Sequence, residues 1–168
     1  MSVLETERLT LREFVAGDAP FILALLNDPS WLRYIGDKGI RTLDDARAYI
    51  ERVPAAMVAR HGFGLYAVAL KSDGTAVGMC GLIKRESLDD IDIGFAFLPQ
   101  YRGAGYAREA AQAVLDDGRD RLGMTRVVAI TMPDNRQSVR LLEQLGFMFE
   151  RTVPADDGAQ LELFAKAL

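Results

Sequence analysis

The chain has 168 residues, 49% of them apolar and 26% charged, with a net charge of −4. Those values predict one globular domain over 1–168 with a sizeable core, and the weak acidity argues against a broad nucleic-acid-binding face. The single Cys80 excludes an intramolecular disulfide, and together with the only histidine, His61, it offers too few soft ligands for a zinc site. The start of the chain lacks a basic-then-apolar leader and no apolar run is long enough to span a bilayer, so a cytoplasmic protein without a membrane partner is expected.

Along the chain, Leu9, Leu11 and Phe14 alternate with polar residues and predict a half-buried first strand. Asp18 is a candidate cap for a helix through Phe21, Ile22, Leu25 and Leu26, ended by Asn27-Asp28-Pro29. Residues 30–41, which include Trp31, Tyr34 and Ile35, are less regular. Thr42 then caps a helix to about Val58, with Pro54 breaking or kinking it. Gly64–Leu70 and Ala76–Ile83 flank the turn Ser72-Asp73-Gly74 and predict a hairpin. Ile91–Leu98 is the next strand, stopped by Pro99, which cannot donate to a sheet ladder.

In the second half, Ala107–Leu122 places Ala110, Ala111, Val114 and Leu115 at helical spacing, with Gly123 as its stop. Arg126–Met132 reads as a strand, Ser138–Leu145 as a helix closed by Gly146, and 147–153 and 161–167 as two strands joined at Asp156-Asp157-Gly158. The order is a mixed α/β (α+β) arrangement: a mostly antiparallel sheet of about seven strands with about four helices packed on it.

Residues 93–108 carry the strongest chemical signal. An apolar strand ends at Pro99, a loop with Gly103 and Gly105 follows, and a helix opens at Tyr106. Unpaired N–H groups and the dipole at a helix start favour an anion, and glycines allow close approach to the backbone. Arg102 and Arg108 would add charge. A GxG alone is more often only a turn into a helix. A dinucleotide-binding loop is disfavoured because its third glycine would fall at Arg108, and no Gly-Lys-Ser/Thr marks a nucleotide loop.

Gln100-x-x-Gly103-x-Gly105 resembles the acyl-CoA-binding motif of the GCN5-related N-acetyltransferases (the GNAT superfamily). Asn135-x-x-Ser138-x-x-Leu141-x-x-x-Leu145-Gly146-Phe147 resembles that family's closing segment. Thr6-Glu7-Arg8-Leu9-Thr10-Leu11-Arg12 and Leu26-Asn27-Asp28-Pro29 look like the branch that acetylates ribosomal-protein N-termini (RimJ/RimL-like). The resemblance covers essentially the whole chain. It implies a sheet splayed between strands 4 and 5, acetyl-CoA in the gap, and no metal. It also implies a bulge near Phe97 and Leu98 that frees backbone groups for the pantetheine arm. The donor site would then comprise Phe97, Leu98, Gln100, Arg102, Gly103, Ala104, Gly105, Tyr106, Ala107, Asn135 and Ser138.

Acetyl transfer to an amine needs a neutral amine, a polarised thioester oxygen and an outlet for the thiolate. Asp92 is the leading base candidate, because its position resembles that of the family's catalytic glutamate; the alternative is a solvated acidic edge with Asp89 and Asp90. Asn135 and Ser138 open a helix, and capping is their plain role. The resemblance adds that Asn135 contacts the pantetheine and Ser138 lies near the sulfur. Where relatives place a tyrosine acid this chain has Leu142, so Ser138 is the substitute candidate.

Trp31 and Tyr34 either line the acceptor pocket, as the resemblance implies, or anchor a loop on the core. Cys80 reads as a small core residue and His61 as an exposed bystander. The expected activity is an acetyl-CoA-dependent N-acetyltransferase using direct attack on a small amine or a protein N-terminus. The alternative is a non-catalytic acyl-CoA-binding sensor or scaffold. The resemblance leaves monomer and homodimer open, with Leu161–Leu168 as the stretch able to pair across an interface.

Overall fold

The computed structural model describes residues 2–168. Its strands are β1 (Ser2–Glu5), β2 (Leu9–Arg12), β3 (Leu65–Leu70), β4 (Ala76–Ile83), β5 (Asp92–Phe97), β6 (Arg126–Thr131), β7 (Met148–Pro154) and β8 (Gln160–Ala167). They form one sheet in the order β1-β2-β3-β4-β5-β6-β8-β7, antiparallel throughout except between β5 and β6. The strand beyond the expected seven is β1. It folds back on β2 through a tight turn in which Thr6 N–H donates to the Leu9 carbonyl at 2.9 Å.

Strands β3 and β4 are buried on both faces, because helices cover both. Leu65, Ala67 and Met79 face one core with Ile22, Leu25, Trp31, Ala46 and Tyr49. Tyr66, Val68, Cys80 and Leu82 face the other, with Ala110, Ala111, Val114 and Leu115. The period of two on β3 and β4 thus feeds two cores at once, and each large side chain withdrawn from water contributes about 1.5–3 kcal/mol.

The helices are α1 (Ala19–Leu26), α2 (Pro29–Tyr34), α3 (Leu43–Ile50), α4 (Ala56–His61), α5 (Tyr106–Asp120) and α6 (Arg136–Gln144). The expected helix from Thr42 is α3 and α4 joined by a π-helical turn over Glu51–Ala55, where Pro54 removes a backbone donor. Thr42 starts it with a reciprocal cap: Asp45 N–H donates to Thr42 Oγ1 at 3.0 Å and Thr42 N–H to Asp45 Oδ2 at 3.1 Å.

Asp18 does not cap α1 with its side chain. Its carboxylate instead accepts two hydrogen bonds of 2.8 Å from Arg12 and one from the Val15 N–H. The segment after α1, expected to be irregular, contains α2. Asp28 caps it and Pro29 occupies its first position, where a missing N–H does no harm.

Two features of the sheet position the site. First, β5 and β6 share a single register pair, Asp92 with Val128, and diverge beyond it. These are the fourth and fifth of the seven expected strands, so the splay lies where the resemblance puts it. Second, the β4–β5 register runs one to one from Asp92 to Phe97 with no shift. The implied bulge at Phe97–Leu98 is therefore absent there, and Leu98 N–H is taken by the Val77 carbonyl at 3.0 Å. Divergence from β6, not a bulge, frees the β5 backbone.

The stretch Leu161–Leu168 does not offer a pairing edge. β8 lies inside the sheet, bonded to β6 and β7, and β7 is the edge strand. No helix among the described residues is long and apolar enough to cross a membrane.

Candidate active site

A cleft of about 490 Å³ opens where β5 and β6 part. Its walls come from the end of β5 (Phe95, Ala96, Phe97), the start of α5 (Gly105, Tyr106, Ala107, Arg108), the first turns of α6 (Asn135, Ser138, Leu141) and α2 (Trp31, Tyr34). Four sequence-distant segments meet there because the splay removes the strand that would otherwise fill the gap.

At the α5 end, Gly103 and Gly105 have φ of 84° and 83°, a region in which an L side chain is strained. A Cβ at Gly103 would meet nothing within 4 Å, and one at Gly105 only Arg8 Nη2 at 3.4 Å. The loop is thus open to a ligand. Gly105 caps α5 without any side-chain hydrogen bond, and the helix ladder starts with Glu109 N–H on the Gly105 carbonyl at 3.1 Å. The N–H groups of the first turn are left for an anion.

Arg8 supports this loop. It donates to the Ala104 carbonyl at 2.9 Å and to Glu109 Oε1 at 2.8 Å, and its guanidinium lies 4.6 Å from the Tyr106 ring centroid. Glu109 also accepts from Thr6 Oγ1 at 2.5 Å. Burial alone would raise its pKa, but the bonds from Thr6 and Arg8 outweigh that and hold it below the usual carboxylate range. Nothing in the Thr6–Arg12 pattern signalled this contact, which spans about a hundred residues of chain.

Arg102, expected at the phosphates, also lies on the cleft wall, but its guanidinium is bonded within the protein. Its guanidinium donates to the Phe97 carbonyl from Nε (3.1 Å) and Nη2 (2.8 Å), to Asp28 Oδ2 (3.1 Å) and to Ser30 Oγ (3.2 Å). Of the other expected donor-site residues, Gly103, Gly105, Tyr106, Ala107, Phe97, Asn135 and Ser138 lie on the cleft wall. Leu98, Gln100 and Ala104 do not. Leu98 packs against the core on the α1 side, Gln100 is exposed in the turn Pro99–Tyr101, and the Ala104 carbonyl is bound by Arg8.

Asn135 caps α6, accepting from Ser138 N–H at 3.3 Å, and both residues are half-buried on the cleft wall. Leu142 is 1% exposed in the core, whereas Leu141 faces the cleft.

The opposite end is formed by α2. Trp31 is 5% exposed, and its indole Nε1–H is the one buried side-chain polar atom without a hydrogen-bond partner among the described residues. Such a donor costs stability unless a ligand or water satisfies it. Tyr34 lies beside it, under the Arg33 guanidinium at 4.9 Å, and Arg33 pairs with Asp134 at 3.0 Å next to the α6 cap. Asp28 is the only carboxylate on the cleft wall among the described residues, and Arg102 and the Ser30 N–H hold its Oδ2.

Asp92 is not on that wall. It is 1% exposed and accepts from Arg85 Nε at 3.0 and 3.2 Å. Burial pushes its carboxyl up against the opposing pull of Arg85. It shares a strand face with Gly94 and Ala96, and four residues of strand separate it from Ala96 by about 13 Å. Between them, a Cβ at Gly94 would meet Ile83 Cδ1 at 2.8 Å, so apolar groups cover the path. Cys80 is buried, with its thiol pushed up to about 12, and so is no nucleophile. Among the described residues, no group of three His, Cys, Asp or Glu could hold a metal.

Comparison with known proteins gives a consistent picture. The acetyltransferase (GNAT) domain model matches residues 8–148. YnaD of Bacillus subtilis, an uncharacterized N-acetyltransferase, is 28% identical over 155 residues, covering 90% of this chain and 88% of YnaD. An acetyltransferase of Agrobacterium tumefaciens superposes with a TM-score of 0.82 at 26% identity, covering 97% of this chain and 92% of that one. RimL, a ribosomal L7/L12 α-N-protein acetyltransferase solved with coenzyme A, shares the fold at a TM-score of 0.84 and 16% identity, over 100% of this chain and 98% of its own.

Proposed function

Because this chain belongs to the GNAT acetyltransferase family, we propose that it moves an acetyl group from acetyl-CoA to a primary α-amine, by direct attack within a ternary complex. The observation that carries this reading is one cleft with two unlike ends: a glycine loop and helix start at one, and an aromatic wall with an unpaired indole N–H at the other.

Acetyl-CoA, when bound, supplies an activated thioester. For its diphosphate, the backbone N–H groups of Gly103, Gly105, Tyr106 and Ala107 and the α5 dipole are suited, with Arg108 adding charge. The open space at Gly103 and Gly105 supports that fit. For the pantetheine arm, the Phe97 end of β5 and the Asn135 side chain line the splay. The Ser138 hydroxyl is our candidate for delivering a proton to the departing thiolate. Trp31 and Tyr34 hold the acceptor, and the orphan indole N–H suits a carbonyl or carboxylate oxygen next to its amine. The burial of Cys80 supports direct attack over a covalent relay.

The acceptor class follows from the missing base. Asp92 lies behind apolar side chains and acts, in this reading, as the counter-charge to Arg85. Asp28 is committed to Arg102. An amine must then lose its proton to solvent. An α-amine, with a pKa of about 7.7–8.0, does this near neutrality, whereas a lysine-like amine near 10.4 does not.

Thiol release is the test, with acetyl-CoA and a panel of N-terminal peptides, amino acid amides, spermidine and an aminoglycoside. The expected result is turnover of α-amines, with kcat/KM rising to a plateau above about pH 8 as the acceptor itself titrates. Turnover of spermidine alone would overturn the α-amine assignment. The buried Leu142 favours a second reading, a non-catalytic acyl-CoA-binding sensor or scaffold, which would gain from CoA binding without turnover. Absence of CoA binding at millimolar concentration would remove both.

A further inference from the structure

Arg102 lies between the two halves of the cleft. On one side its fork takes the Phe97 carbonyl, at the last residue of β5 just before the glycine loop. On the other it takes Asp28 and Ser30, the cap and second residue of α2. Asp28 is 8% exposed, and the Oδ2 that Arg102 contacts also accepts the Ser30 N–H at 3.1 Å, so one oxygen both starts α2 and binds the guanidinium. A helix of one and a half turns has little stability of its own. Its placement depends on that cap, on the burial of Trp31 and on this fork, whose planar, charge-assisted bonds fix direction as well as distance.

We propose that Arg102 is a positioning residue that locks the acceptor wall to the donor loop, with Asp28 as its partner. The proposal rests on reading the cleft as a joint donor and acceptor site. Seating a ligand in the loop then fixes α2, and with it Trp31 and Tyr34. An arginine in the phosphate loop would ordinarily be expected to grip the phosphates, and the two roles predict opposite results.

Trp31 is the only tryptophan, so its emission reports on α2 alone. Arg102→Gln and Asp28→Asn would be compared with the unaltered chain by acrylamide quenching of Trp31, with and without saturating CoA. CoA affinity would be measured by calorimetry and folding by circular dichroism. Asn still caps helices, so Asp28→Asn tests the pair without removing the cap.

Without CoA, both variants should quench about threefold more readily than the unaltered chain, because α2 loses the fork that fixes its direction. CoA should shield Trp31 in the unaltered chain but not in Arg102→Gln, while CoA affinity changes by less than about threefold. Arg102→Lys, a point charge in place of a fork, should fall between. Unchanged quenching in Arg102→Gln would overturn the proposal. So would a loss of CoA affinity of about tenfold or more, which would make Arg102 a donor ligand. If the unaltered chain binds no CoA, the donor reading fails, and the quenching comparison without CoA still decides the lock.

Discussion

The charged side chains around the cleft are committed to partners within the protein, and that changes what they can do chemically. Arg8 holds the Ala104 carbonyl, Arg102 the Phe97 carbonyl, and Arg85 the buried Asp92. Asp92 illustrates the consequence. Its carboxyl is raised because burial outweighs Arg85, so the folded state binds the proton more tightly than the unfolded chain. The contribution of Asp92 to stability therefore falls as pH rises from its unfolded value of 3.8 toward the higher folded value. Asp92→Asn should grow more stable relative to the parent across that window, as read by urea melts at stepped pH. Its kcat should stay within about threefold, whereas losing a true general base would lower it about a hundredfold or more.

At the level of elements, the glycine-loop end of the cleft is a conformational device as much as a set of atoms. Gly105 must adopt φ of 83° so that α5 can begin with its N–H groups facing the cleft. Gly105→Ala should destabilise the fold by about 1–2 kcal/mol through that strain and weaken CoA binding in calorimetry. Gly123, beyond the other end of α5, has φ of 67° and equally open surroundings. Gly123→Ala should show a similar loss of stability with unchanged CoA affinity, which separates strain from ligand contact. The short α2 is the corresponding device at the opposite end of the cleft, and six residues beginning with Pro29 carry too little periodicity to reveal a helix in the sequence.

For the molecule as a whole, the splayed sheet leaves a weak joint. β5 and β6 share one register pair, while β4–β5 and β6–β8 each share six. A ligand bridging that joint should stabilise the folded state by mass action, about 2.7 kcal/mol at a hundredfold excess over Kd, or roughly 5–10 °C in Tm for a chain of this size. Hydrogen exchange should slow most in the second half of β5 and at the start of α6, and little in β7. The sequence alone determined seven of the eight strands in their order, the β3–β4 hairpin, the Thr42 cap and the Gly103–Gly105 loop. Periodicity and turn chemistry are local, and the family motifs are contiguous. Which charges remain free to react was a different matter. Asp92 and Arg102 looked available in the sequence, yet the first is sealed behind Ile83 and the second spans the gap between Phe97 and Asp28. Those partners are set by contacts across the sheet and between segments some 70 residues apart, so only the tertiary structure could show that Arg85 holds Asp92 and that Arg102 spans the cleft from Phe97 to Asp28.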